Sequence, residues 1–70
     1  MNEYIDEWVD AREDLPQLAL GFNYLSMNVR CMTDTGEICE GFYHYQDNEW
    51  WGKDMSNGVR KINVIKWQSL

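Results

Sequence analysis

From Ser26 to Thr33 the chain alternates. Met27, Val29 and Cys31 fall on one side of an extended backbone, and Asn28, Arg30 and Met32 on the other. That period of two is the signature of a half-buried β-strand. Asp34-Thr35-Gly36 follows, a length and composition suited to a three-residue hairpin loop with glycine in the left-handed position. Glu37 to Tyr45 then reads as the returning strand, with Gly41 marking a bulge or a close approach of backbone. In such a hairpin Thr33 faces Glu37 and Cys31 faces Cys39. A two-residue loop at Thr35-Gly36 would shift the register and separate the two thiols.

The flanking segments are less regular. Tyr4, Ile5, Trp8, Val9 and Ala11 recur near helical spacing, yet Trp8-Val9 also suits a strand core. Leu15-Pro16 ends either element, because the residue before proline avoids the helical region. The reading adopted is a loose or short helical start and a short strand around Trp8 to Ala11. Residues 17–25 are apolar without clean periodicity and are expected to be a connection that packs its side chains inward. Gln46-Asp47-Asn48 reads as a turn and Glu49-Trp50-Trp51 as the start of a further strand. Residues 52–61, with Gly52 and Ser56-Asn57-Gly58, read as a loop, and residues 62–67 as a C-terminal strand.

Seventy residues make one domain at most, burying only about 60% of the surface an unfolded chain exposes. Large aromatics therefore carry much of any core, and at 14% of the chain they argue against disorder. The expected fold is mainly β: one domain over 1–70, with 1–6 loose, built on an antiparallel sheet of three to four strands around the central hairpin. A short N-terminal helix is compatible with the spacing, and α+β is the alternative class.

The net charge is -6. Phosphate-binding proteins carry a basic patch, and this chain has no large one, so direct nucleic-acid binding is disfavoured. Six of the twelve acids lie in the first fourteen residues, and four of the six bases lie after residue 52. Asp6, Glu7, Asp10, Glu13 and Asp14 thus form a candidate acidic face for a basic partner, against the plainer reading of a solvated segment. No run of eighteen apolar residues could span a bilayer, and no basic start leads into an apolar run. The chain is expected to be a complete cytoplasmic protein with no membrane contact.

Catalytic constellations are missing. The glycines fit neither GxGxxG nor a P-loop, and no HExxH or EF-hand loop occurs. Two cysteines and one histidine fall short of the four ligands of a structural zinc site. A cysteine nucleophile needs an activating base, and His44, between Tyr43 and Tyr45, reads as a surface or core-edge residue. No catalytic residue, metal or cofactor is expected, and the chain is read as not an enzyme.

Certain residues also fall in a recognisable order. Trp8 leads to Leu15-Pro16. Val29, Gly36, Gly41-Phe42-Tyr43 and Trp50 follow, then Val64-Ile65-Lys66-Trp67 and Leu70. In this order the chain resembles the domain of unknown function 551 family across residues 7–70. Two departures stand out: the Pro16–Val29 interval is longer and more apolar than the family pattern, and Lys66 occupies a position where that pattern has histidine. The resemblance implies a small β-rich module in a phage, prophage or mobile-element setting. It implies no activity.

Adjacent strand residues point to opposite faces, so burial of Trp50 would turn Trp51 outward. Tyr43, Tyr45 and Trp51 are the candidate interface cluster, because aromatics dominate binding hot spots. The competing reading is that segment 17–25 covers that face. The expected function is a non-catalytic protein-interaction module whose partner is an unidentified protein or a second copy of itself. The alternative is an acidic phage accessory inhibitor occupying a basic groove of a host defence or nucleic-acid-binding protein.

Overall fold

The computed structural model describes residues 7–54 and 58–70. Six strands form one antiparallel sheet: β1 (Val9–Asp10), β2 (Val29–Thr33), β3 (Ile38–His44), β4 (Glu49–Asp54), β5 (Gly58–Ile62) and β6 (Val64–Ser69). Their order across the sheet is β1-β6-β2-β3-β4-β5. The class is therefore mainly β, with more strands than expected and no helix among the described residues. The short N-terminal helix, as far as it concerned residues 1–6, lies outside the described residues. Residues 11–13 form a turn after β1.

The central hairpin has the register that its loop chemistry dictates. The Gly36 N–H donates to the Thr33 carbonyl at 2.9 Å and the Thr33 N–H to the Glu37 carbonyl at 2.8 Å. Gly36 has φ 89°, the left-handed conformation that closes a three-residue loop. Val29 then faces Gly41, and Cys31 faces Cys39. Since Thr33 and Glu37 form a hydrogen-bonded pair, alternation makes Cys31 and Cys39 one as well, with Cα atoms about 5.5 Å apart. Both thiols are free.

The expected loop over 52–61 is corrected. Residues 50–54 pair with β5, Trp50 facing Ile62 and Gly52 facing Arg60, and residues 55–57 lie outside the described residues. Trp50 and Ile62 turn toward the core, but the next pair on that side is Gly52 and the exposed Arg60, while Val59 points out and is half-exposed, so the alternation is broken. The C-terminal strand is also offset, beginning at Val64 rather than Ile62.

One connection governs the shape. β5 and β6 are separated in the sheet by β2, β3 and β4, yet only Asn63 joins them. Four strand spacings in a flat sheet would span about 19 Å, whereas two chain steps cover roughly 7 Å. The sheet must therefore curl into a partly open barrel. Asn63 is tied to the central turn: its carbonyl accepts from the Asp34 N–H, and its Nδ2 donates to Asp34 Oδ2, both at 3.0 Å.

The concave face is the core. Val29, Cys31 and Val64 are buried, and Ala11, Cys39, Trp50, Ile62 and Trp67 pack against them. Gly41 and Gly52 face one another across β3 and β4. A Cβ on Gly41 would collide with the Trp51 carbonyl oxygen and come within 3.1 Å of Cys31 Sγ. One on Gly52 would lie 2.9 Å from the Ile62 side chain and 3.2 Å from Cys39 Sγ. Gly41 is thus a close-packing position rather than a bulge. Gly41→Ala should destabilise the fold by about 1–3 kcal/mol, the usual cost of overpacking, read as a lowered urea midpoint. A midpoint equal to wild type would show that this backbone approach is looser than described.

Candidate functional site

The expected aromatic cluster does not assemble. Tyr43 pairs with Trp50 and Phe42 with Trp51, so Trp51 lies on the convex face while Tyr43 turns into the concave side. Tyr43 is buried, its ring meeting Tyr45 edge-on at 5.0 Å and Trp50 at 5.2 Å. Its hydroxyl donates to Asn48 Oδ1 at 3.1 Å, and that of Tyr45 donates to the Pro16 carbonyl. Burial raises the Tyr45 phenol above its usual pKa, aided by Tyr43 and Asp14. These two tyrosines hold the β3–β4 corner against the chain at Pro16. Trp51, half-buried beside Phe42, has its indole N–H enclosed without an acceptor. Alternation holds along each strand, but the β3–β4 register places Trp50, not Trp51, on the face of Tyr43 and Tyr45.

The acidic residues are only partly a face. Asp6 lies outside the described residues. Asp10 accepts from the Arg12 N–H at 2.9 Å and from Arg12 Nη2 at 3.1 Å, and these hydrogen bonds hold its carboxyl below the usual range. Glu7, Glu13 and Asp14 are exposed. Asp14 also receives the Leu15 N–H at 3.0 Å, so one carboxylate caps the turn that leads to Pro16.

Nor does the structure gather a reactive centre. Among the described residues no three His, Cys, Asp or Glu side chains converge on a metal-sized space. Burial pushes the Cys31 thiol up to about 12, with lesser contributions from Cys39 and Glu40. Burial also raises Cys39, helped by Glu37 and opposed by Arg60. The thiolate is the reactive form, so burial makes both thiols less reactive than an exposed cysteine, Cys31 more so than Cys39. His44 touches the Tyr24 ring at 5.4 Å and Asp47 Oδ2 at 3.5 Å.

Segment 17–27 is the unexpected feature. It forms a small hairpin: the Ala19 N–H donates to the Leu25 carbonyl at 2.8 Å and the Met27 N–H to the Gln17 carbonyl at 2.9 Å. Gly21, with φ 87°, makes its tip. The returning limb is stitched to the end of β3, Ser26 donating its N–H to the Tyr43 carbonyl and Tyr45 donating to that of Tyr24. The Tyr43 N–H closes on Ser26 Oγ at 2.8 Å. The hairpin therefore prolongs the sheet past β2 instead of lying over it.

Its side chains consequently point outward, contrary to expectation. Leu20 is 100% exposed, and Leu18, Phe22, Tyr24 and Met27 are each exposed by more than a third. Phe22 meets Tyr24 edge-on at 6.2 Å. Behind the tip is a groove of about 200 Å³ between Ala19, Phe22, Leu25, Met27 and Phe42. No charged residue occurs from Leu15 to Val29, in a chain that is 26% charged. That gap was the available signal, because solvated loops seldom spend fifteen residues without charge while showing large apolar side chains. Contiguous apolar surface of this kind marks interaction sites.

No family model, curated protein or solved structure matches the chain. No helix among the described residues is long and apolar enough to cross a membrane.

The thiol environment makes a prediction. With native protein at neutral pH, a thiol reagent should leave Cys31 unmodified and label Cys39 slowly, and both should react once urea unfolds the chain. Two thiols titrating in the native state at the unfolded rate would contradict the burial described.

Proposed function

We propose that this chain is a small non-catalytic protein-interaction module whose contact surface is the uncharged hairpin 17–27. One observation carries the reading: Leu20 is wholly exposed at the tip of a hairpin that also presents Leu18, Phe22, Tyr24 and Met27. Burying a leucine of this kind in a partner is worth about 1.5–3 kcal/mol, so truncation there should weaken binding by roughly ten- to a hundredfold. The hairpin is anchored through backbone hydrogen bonds to β3, which pre-orders it and lowers the entropic cost of binding. A phage or mobile-element setting belongs to this proposal through the family resemblance alone.

A second reading is an acidic accessory inhibitor that occupies a basic groove of a host protein. The exposure of Glu7, Glu13 and Asp14 supports it, and the pairing of Asp10 with Arg12 weighs against it. Salt separates the two readings, because exposed charges are screened and apolar contacts are not. The test is capture of partners from bacterial lysate at low and high salt. Partners of the wild type should persist at high salt, be lost with the double variant Leu20→Ser, Phe22→Ser, and survive Glu13→Gln, Asp14→Asn. Capture abolished by salt or by the acidic substitutions, and indifferent to Leu20 and Phe22, would overturn the first reading for the second.

A further inference from the structure

We propose that the partner of hairpin 17–27 is a second copy of this chain: two molecules meet about a two-fold axis, each seating Leu20 in the other's groove between Phe22, Met27 and Phe42. The inference rests on the interaction reading above and names the occupant of that surface.

Knob and socket belong to the same patch. Leu20 projects fully into solvent, and the groove behind it has a volume of about 200 Å³ and walls that are mainly apolar, with Ser26 and Asn28 as the polar part of the lining. A 150 Å³ apolar cavity already admits benzene, so a leucine side chain fits. A two-fold contact requires residue i to meet residue j while j meets i. A tip and a socket a few residues apart on one hairpin meet that requirement.

Charge selects the same face. Two chains of net charge -6 repel wherever their acids meet, and Leu15 to Val29 carries no charge. The alternative route to a pair, edge-to-edge addition at β5, meets the exposed charged side chains of Arg60 and Lys61, which are engaged with Glu37 and Glu49. Charged residues of this kind commonly protect edge strands from pairing. Area permits a modest interface. Taking the aromatic side chains at about 150–250 Å² each and the aliphatic ones at about 60–120 Å², the exposed fractions of Leu18, Leu20, Phe22, Tyr24 and Met27 amount to roughly 250–450 Å² of apolar surface. This supplies the apolar centre, and a polar rim must supply the rest of the roughly 800 Å² per partner of a stable interface.

Sedimentation equilibrium of the purified chain, from about 1 µM to about 1 mM, tests the proposal. The wild type should move from 8.4 kDa to twice that mass, and the dimer should be no weaker at high salt because the contact contains no ion pair. Leu20→Asp should weaken dimerisation at least tenfold with an unchanged circular dichroism spectrum, since Leu20 touches nothing in the monomer. Leu20→Ala should fall between the two. A wild type that stays monomeric throughout, or a dimer indifferent to both substitutions, overturns the inference. A monomer that still captures a lysate protein, or sediments with phosphatidylcholine vesicles, in a Leu20-dependent way also overturns it. The lysate result alone would leave the interaction reading standing with a different partner.

Discussion

The single residue Asn63 between β5 and β6 is the constraint on which the rest of this structure depends. Strands that lie four places apart in the sheet must come together at that point, so the sheet has to roll up. Rolling creates a concave side, and that side is the only core available to so short a chain. Asn63 does not span the gap unaided. Its hydrogen bonds to Asp34 fasten the link to the turn of the central hairpin, so the two corners support one another.

A roll this tight leaves little room inside. The positions that face inward along the middle of β2, β3 and β4 are Cys31, Cys39, Gly41 and Gly52, all small, and bulkier residues sit around them. Trp50, Ile62 and Trp67 close the rim as half-buried side chains. This division explains why few large residues are fully buried in a chain so rich in aromatics. It also explains the less reactive thiols: the cysteines act as small apolar spacers between closely approaching strands, and burial suppresses their ionisation. Segment 17–27 pairs its backbone with the end of β3 and continues the sheet beyond the concave face, so its apolar side chains point outward.

Legibility in the sequence followed local chemistry. The central hairpin was readable because Asp34-Thr35-Gly36 specifies one loop and the loop specifies the register, down to the facing cysteines. The β4–β5 hairpin was not, because beyond the inward pair Trp50 and Ile62 the next pair on that side is glycine and an exposed arginine, which breaks the alternation. Which aromatics share a face depended on the β3–β4 register: Gln46-Asp47-Asn48 marks a turn, closed by Asn48 at φ 58°, but does not fix its length, and a one-residue difference exchanges Trp50 for Trp51 opposite Tyr43. The outward hairpin was legible only as a gap in charge. Apolar composition says that a segment wants burial, but the topology decides whether the molecule itself can provide it.

The central claim is that this small roll builds its core without the apolar side chains of 17–27 and offers them to solvent. Methyl NMR with a soluble paramagnetic agent measures this directly in dilute solution. The account predicts strong relaxation of the Leu20 methyls, with those of Val29 and Val64 protected. Leu20 methyls as protected as Val29 at every dilution would mean that the hairpin folds back onto its own chain, and the account would be wrong.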